Sequence, residues 1–210
     1  MRFYNYLSED IENDLYTKLK ERCTPYLQEM QRNNYLPLYS GRDSKIPFFI
    51  KRIRKDRKPL DTPEGVHNLF NKYFKEKFGY NLRNESIFLT MNRAFARGYG
   101  DIHVIFPTGR NYEIYYNPEV MDLYITLEEK IWKRFPKQLG GINLYKIDRL
   151  DDNILDKIDD IIEEIVDGYI KGHPKTYVKT ELMLRGESYV AVNEYWYNKY
   201  IENNIDEILA

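Results

Sequence analysis

The sequence is poor in the residues that build metal sites and covalent cross-links. Cys23 is its only cysteine, and it has three histidines among 210 residues. A lone cysteine cannot form an intramolecular disulfide, and the CxxC and Cys/His spacings of zinc sites are absent. We therefore expect no metal site, and we expect a reducing compartment, the cytoplasm.

Long apolar runs, an excess of charge and glycine-rich nucleotide motifs are also missing. No segment approaches the ~18 apolar residues of a membrane span, and the first residues lack the apolar centre of a signal peptide. The 32 Lys and Arg nearly balance the 33 Asp and Glu, so the overall charge gives no reason to expect nucleic-acid or membrane binding. Without a Rossmann or P-loop motif, NAD would not be bound in the manner of a dehydrogenase.

Aromatic residues are abundant, and they predict a globular protein. The chain is 42% hydrophobic and contains 20 Tyr and 10 Phe, enough apolar area for one packed domain over 1–210. We predict an N-terminal scaffold helix within 1–34, an α+β core over 35–192 and a C-terminal helix over 193–210. Ser8 is the expected N-cap of a helix over 9–32, and Asn193 is the expected cap of the last helix.

Inside the core, apolar spacing and turn residues alternate. Helical spacing of apolar residues predicts three helices, over 64–78, 121–135 and 151–171. Turn residues predict a hairpin loop at 107–111, a tight turn at 185–187 and a flexible loop at Gly140-Gly141. This order favours an α+β fold whose sheet is mixed, mainly antiparallel, with about six or seven strands flanked by helices.

The start of the second helix carries its own signals. Asp61 or Thr62 is the expected cap, and Pro63 is expected in the first helical position. His67 lies beside the apolar stripe of this helix, where a structural hydrogen-bonding role is favoured over a catalytic one.

Three predicted strands end in, or contain, small polar or charged residues. The first reads Tyr39-Ser40-Gly41-Arg42 at its end, and the second, over 86–90, ends at Thr90 before Asn92 and a short helix. A carboxylate, Glu181, lies inside a third strand-forming segment, where strand propensity and burial both argue against it. From the residues alone, an exposed Glu181 remains an open alternative.

The densest charge in the chain is the basic segment Lys51–Lys58. Six of its eight residues are Lys or Arg, which suits an anionic partner such as phosphate, nucleic acid or an acidic protein surface. A solvated loop, balanced by acidic segments elsewhere, is the alternative.

The three polar strand segments resemble, in their order, the ADP-ribosyltransferase superfamily. In that family the first strand ends in an aromatic, an Arg or His, and Gly; the second reads Phe-x-Ser-Thr-Ser before a short helix; and the last carries a Glu followed by hydrophobic residues and Gly. The corresponding segments here are Leu38-Tyr39-Ser40-Gly41, Ser86-Ile-Phe-Leu-Thr90-Met-Asn92, and Glu181-Leu-Met-Leu-Arg-Gly. The central stretch 85–107, together with the segment 52–61 and the helix that follows it, is also similar to small proteins encoded by tailed phages.

The resemblance implies a fold, a substrate and a set of residues. It implies NAD as the substrate, a host protein or nucleic acid as the acceptor, and the host cytoplasm as the place of action. Glu181 would be catalytic, stabilising positive charge on the ribose. The residues that it implies for NAD binding are Tyr39, Ser40, Gly41, Arg42, Thr90, Asn92 and Tyr99, together with Arg52 and Arg54 from the basic segment.

Two departures from the family pattern keep other functions open. Ser40 replaces the Arg of toxin-like members, and Lys179 replaces the Glu or Gln found two residues before the catalytic Glu, which argues against arginine-directed transfer. The alternatives are a catalytically inactive nucleotide- or partner-binding protein on the same fold, acting as an inhibitor of a host factor, or nucleic-acid binding through Lys51–Lys58. NAD hydrolysis in place of transfer also stays open.

Overall fold

The computed structural model describes residues 2–58, 62–136 and 142–210, with side chains from residue 9 onward except that of Asp148. Two expected features, the Asp61 cap and the Gly140-Gly141 loop, lie outside the described residues. The α-helices are α1 (Arg2–Asn33), α2 (Glu64–Phe78), α3 (Leu82–Glu85), α4 (Arg93–Arg97), α5 (Leu123–Arg134), α6 (Asp152–Asp167), α7 (Glu194–Trp196) and α8 (Ile205–Leu209). The strands are β1 (Tyr39–Arg42), β2 (Phe48–Arg52), β3 (Ser86–Thr90), β4 (Asp101–Pro107), β5 (Glu113–Tyr116), β6 (Ile170–Lys171), β7 (Glu181–Arg185) and β8 (Ser188–Asn193).

All eight described strands belong to one sheet, in the order β2-β8-β4-β1-β3-β7-β5-β6. Every strand pair among them is antiparallel. The expected α+β class with an antiparallel sheet is therefore confirmed. The expected parallel component is not seen in the described strands, and the strands number eight where six or seven were expected.

The sheet consists of two four-stranded halves that meet at a single residue pair. β1 closes the half that contains β2, β8 and β4, and β3 closes the half that contains β7, β5 and β6. Between β1 and β3, only Tyr39 and Thr90 are paired. Residues 40–42 and 86–89 therefore continue along the two halves without a ladder joining them.

The hairpin predicted at 107–111 is wrong, because this loop joins the two halves of the sheet. β4 pairs with β1 and β8, whereas β5, which follows it, pairs with β6 and β7. The turn at 185–187 likewise carries the chain from β7 in one half to β8 in the other. The side chains of Thr108 and Ser188 hydrogen-bond at 2.6 Å, so the two connections lie side by side.

Each half of the sheet is covered by its own helices. Leu15, Leu19, Leu27 and other residues of α1 pack with Val104, Phe106, Val190 and Val192 of β4 and β8. Helices α2, α5 and α6 form a second apolar cluster with Tyr115 and Met183. Cys23 is completely buried within the α1 cluster, as expected for a structural cysteine.

Most helix positions follow the sequence pattern, with four differences at their ends. α1 begins at Arg2, so Ser8 lies within the helix and not at its N-cap. Pro63 occupies the N-cap position of α2, one residue before the expected position. α6 ends at Asp167, and Ile170 belongs to β6. The C-terminal helix, capped by Asn193 as expected, is divided into α7, a π-helical turn over Tyr197–Ile201 and α8.

Gly79 ends α2 as its sequence predicts. Its φ of 83° lies in the left-handed region, and its N–H bonds the carbonyl of Lys75. Glycine adopts this conformation without the steric cost that a Cβ brings, which is why it terminates so many helices.

Candidate functional site

A cavity of 420 Å³ lies in the gap between the two halves of the sheet. Its walls come from residues of β1 and β3 that lie beyond the Tyr39–Thr90 pair, from α4, and from the start of α5. Small-molecule sites commonly enclose about 300–1,000 Å³. The place where β1 and β3 stop pairing is therefore a candidate ligand site.

Among the described residues, Glu181 is one of two carboxylates that line this cavity, together with Asp122. It begins β7 directly opposite Thr90, so Tyr39, Thr90 and Glu181 form one row across three neighbouring strands. The side chain of Glu181 is only 17% exposed, which excludes the solvent-facing alternative. The pKa of this carboxyl is raised to about 7, mainly by burial; Arg83 and Arg57 oppose the rise, and Asp122 adds to it.

Arg83 is the closest cation to this carboxylate. Its Nη1 lies 3.9 Å from Oε1 of Glu181, and the residue is 5% exposed. Its Nη2 donates to Oγ1 of Thr62 at 3.1 Å, and its Nε donates to Nδ1 of His67 at 3.3 Å. Thr62 therefore binds Arg83, whereas the sequence predicted that Thr62 caps a helix.

His67 has the structural role that was expected, and its protonation state follows from its two neighbours. Nδ1 accepts from Arg83, so the ring proton sits on Nε2, which donates to Oδ1 of Asn84. Burial lowers the pKa of this imidazole, and the nearby Arg83 and Arg57 lower it further. A neutral His67 thus fixes the orientation of the guanidinium that faces Glu181.

Two further arginines, Arg42 and Arg57, line the cavity. The pKa of Arg57 is lowered to about 10, mainly by burial; Glu181 opposes this change, and Arg83 and Arg42 contribute to it. The guanidinium of Arg57 lies 3.8 Å from the ring centre of Phe88, and that of Arg42 lies 5.3 Å from the ring centre of Tyr189. Each guanidinium is thus fixed against an aromatic face.

Several polar atoms of these side chains are buried without a partner in the described part of the chain. They are Nε of Arg42, Nη1 of Arg57, Nη1 of Arg83 and Oε1 of Glu181, although Arg83 and Glu181 attract each other at the longer distance given above. Buried donors and acceptors are normally satisfied, so such a group of atoms indicates a ligand or ordered water. Three guanidinium groups against two carboxylates, Glu181 and Asp122, give the cavity a positive balance suited to an anion.

The structure brings together most of the residues that the sequence identified. Tyr39, Ser40, Gly41, Arg42, Thr90, Tyr99 and Glu181 all line this cavity. Asn92, Arg52 and Arg54 do not line it. Arg52 and Arg54 are exposed, and Arg54 pairs with Asp56 at 3.0 Å.

The side chains of Thr90 and Asn92 were expected to orient Glu181, but among the described residues they hydrogen-bond instead to the backbone before and within α4. The hydroxyl oxygen of Thr90 accepts from the backbone N–H of Asn92 at 3.0 Å. The side chain of Asn92 in turn accepts from the N–H of Phe95 at 3.1 Å and so caps α4. Their role is to position the start of α4 at the wall of the cavity.

Gly41 is required for a different reason from the one expected. A Cβ at this position would lie 2.0 Å from the carbonyl oxygen of Ala96 and 2.8 Å from Cβ of Tyr99. The absence of a side chain therefore makes room for α4, whereas the sequence suggested that it allows a ligand to approach closely.

Sequence reasoning missed Arg83 and, within the basic segment, singled out Arg52 and Arg54 in place of Arg57. Arg57 belongs to the basic segment that drew attention, and its charge density is the signal that could have found it. Arg83 lies in the short helix α3, away from any recognisable motif, and its neighbour in space, Thr62, was assigned to a helix cap.

Other site classes find no support in the part of the chain that the structure describes. No group of three or more His, Cys, Asp or Glu side chains is arranged to hold a metal ion there. Among the described helices, none combines the length and apolar character needed to cross a membrane. No protein-family model, curated protein or solved structure matches this chain, so we infer its function from the chemistry of the cavity.

Proposed function

We propose that this protein is an NAD-dependent ADP-ribosyltransferase, encoded by a phage, that modifies a host macromolecule. The observation that carries the proposal is the row of Tyr39, Thr90 and Glu181 at the edge of the cavity. These residues come from the three segments that resemble the superfamily. Their convergence at one buried site is what the resemblance requires.

The role of Glu181 follows from the charge that develops in the reaction. Breaking the bond between nicotinamide and ribose builds positive charge on the ribose, and a fixed carboxylate stabilises that charge by electrostatic preorganisation. Only the ionised carboxyl can do this. With a pKa of about 7, the ionised fraction of Glu181 rises steeply between about pH 6 and pH 8, and we expect activity to rise with it.

The arginines supply the second requirement, a site for the pyrophosphate of NAD. Arg42 and Arg57 each present a buried N–H that has no acceptor among the residues that the structure describes. Guanidinium groups bind phosphate oxygens through charge-assisted, often bidentate hydrogen bonds. Arg83 has another task, because it is held by Thr62 and His67 and faces the Glu181 carboxylate. It favours the ionised form of that carboxylate and restricts its position.

The test is NAD cleavage by the purified protein, alone and with a host-cell lysate. Nicotinamide release is followed by chromatography, and transfer is followed with NAD labelled on its adenylate moiety. Glu181→Gln keeps the shape of the side chain and removes its charge, and we expect it to lower the rate by about 100-fold or more. Glu187→Gln is the matched control, since Glu187 lies exposed in the β7–β8 turn, and it should cleave NAD like the wild type. If the wild type releases no nicotinamide under any of these conditions, the enzymatic proposal is wrong.

One observation favours a second candidate, a nucleotide-binding protein without catalysis. Arg83 lies beside Glu181 at 3.9 Å, so the carboxylate already has a positive partner. Ser40 also stands where toxin-like members of the superfamily carry Arg. In this case NAD, or another nucleotide with a pyrophosphate group, binds without being cleaved. Calorimetry then gives similar affinities for the wild type and Glu181→Gln, and neither protein releases nicotinamide.

A further inference from the structure

A cationic surface leads from the edge of the sheet into the cavity. We call it the basic strip and define it as Lys51, Arg52, Arg54, Lys55 and Arg57. The first four are exposed, and Arg57 lines the cavity. Among the residues that the structure describes, no carboxylate pairs with Lys51, Arg52 or Lys55, whereas Arg54 pairs with Asp56. The strip is thus a concentrated positive surface in a chain whose net charge is −1.

The strip approaches the cavity at two points. Arg57 is fixed there by its backbone N–H, which bonds the carbonyl of Asn84 at 3.2 Å. Lys51 is paired through its backbone with Tyr189, and the ring of Tyr189 contacts Arg42 of the cavity wall. A polyanion that follows the exposed cations would therefore be led to the cavity.

Exposed aromatic side chains form part of the cavity wall. Phe95 is 37% exposed and Tyr99 is 61% exposed, and their rings meet edge to face with centres 5.6 Å apart. Both residues line the cavity. Unpaired bases stack on aromatic faces of this kind, and proteins that bind single strands combine such faces with a positive groove.

We propose that the basic strip and the Phe95–Tyr99 wall bind single-stranded nucleic acid, which is the acceptor in the reaction proposed above. The role of the nucleic acid as acceptor rests on the proposed function, whereas its binding is measured independently. The aromatic wall distinguishes this partner from an acidic protein segment, because carboxylates would use the cations alone. A duplex is disfavoured, because its bases are stacked on one another and do not present their faces to Phe95 or Tyr99.

Binding is measured by fluorescence anisotropy with labelled single-stranded DNA and RNA of about 20 nucleotides, longer than the ~4–16 nucleotides of a typical single-strand site. The competitors are a duplex of the same sequence and polyaspartate. The triple variant Lys51→Gln, Arg52→Gln, Lys55→Gln should weaken binding about tenfold or more at ~150 mM salt and lower the slope of log affinity against log salt by about 2. The control triple Lys20→Gln, Lys75→Gln, Lys146→Gln removes the same charge at exposed positions elsewhere and should bind within about twofold of the wild type.

A second variant separates stacking from charge. Phe95→Ala with Tyr99→Ala should weaken binding about tenfold while leaving the salt slope unchanged, because no phosphate contact is lost. Equal weakening by the two triple variants, or displacement by polyaspartate as effective as by unlabelled single strand, would overturn the proposal. If nicotinamide is released but no nucleic acid binds, this proposal is wrong and the proposed function still stands. If nucleic acid binds but no nicotinamide is released, only the proposed function is wrong.

Discussion

Removing the charge of Glu181 should stabilise the folded protein, by an amount that depends on pH. Burial raises the pKa of this carboxyl from 4.5 to about 7, so the folded state binds more protons than the unfolded state between these values. Stability then decreases as the pH rises from 4.5 to about 7 and stays constant above. At about 1.4 kcal/mol for each pKa unit, the ionised Glu181 lowers the free energy of unfolding by about 3 kcal/mol at pH 8.

Glu181→Gln replaces the carboxyl with a neutral group of the same shape and should remove this loss. Its free energy of unfolding should exceed that of the wild type by about 3 kcal/mol at pH 8, and the two should differ by less than about 1 kcal/mol near pH 5. The measurement is urea unfolding followed by circular dichroism at both pH values. The m-value should not change, since the surface exposed on unfolding is the same.

Glu187→Gln is the control for this prediction as well, because its side chain lies in solvent. It should leave the free energy of unfolding unchanged at both pH values, within about 0.5 kcal/mol. A Glu181→Gln variant whose stability relative to the wild type is the same at pH 5 and pH 8 would refute the assignment of Glu181 to a desolvated site. If Glu181→Gln is instead less stable than the wild type, and increasingly so as the pH rises, then the attraction between Arg83 and the ionised Glu181 outweighs the cost of burying its charge.

Three further outcomes follow from the same geometry. Gly41→Ala should lower the free energy of unfolding by about 2–3 kcal/mol in urea unfolding, because its Cβ would overlap a carbonyl oxygen of α4, whereas Gly98→Ala, in the right-handed region and exposed, should not. Arg57→Gln should weaken NAD binding about tenfold or more in calorimetry, and Arg54→Gln, outside the cavity, should not. Burial lowers the pKa of His67, so its neutral ring contributes stability that is lost as the pH falls below its unfolded pKa. The difference in unfolding free energy between His67→Gln and wild type should therefore shift in favour of the variant between pH 7.5 and 5.5.

Local patterns predicted the elements of this fold, but they could not predict how its strands pair. The segments around 107–111 and 185–187 have the composition of tight turns, but in this antiparallel order each joins two strands that run in the same sense. Turn residues report a local change of direction and contain no information about which strand becomes the neighbour. Here each connection crosses from one half of the sheet to the other, a choice made by long-range packing of the helices on the two halves.

The sequence predicted those residues of the candidate site whose place depends on strand order and residue type. Glu181 stood out because a carboxylate in a buried strand needs a reason, and its burial confirms the pattern. The choice of arginine could not be predicted, because the basic segment contains several equivalent cations. Burial of Ile53 and the backbone bond from Arg57 to Asn84 decide which of them turns inward. Arg83 had no local signal, since its partners lie in other elements.

The cavity depends on where β1 and β3 stop pairing, and α4 fixes that point. α4 begins at Arg93, three residues after Thr90, and lies against Gly41, with the Ala96 carbonyl oxygen in the space that a Cβ would fill. This contact holds the end of β3 beside Tyr39, while residues 86–89 continue along the other half of the sheet. Extending the ladder beyond Tyr39–Thr90 would join the two walls and remove the space in front of Glu181. Gly41 therefore serves the site through packing: it lets α4 approach closely enough to position both walls, and the Glu181 carboxylate can then face a ligand in the gap between them.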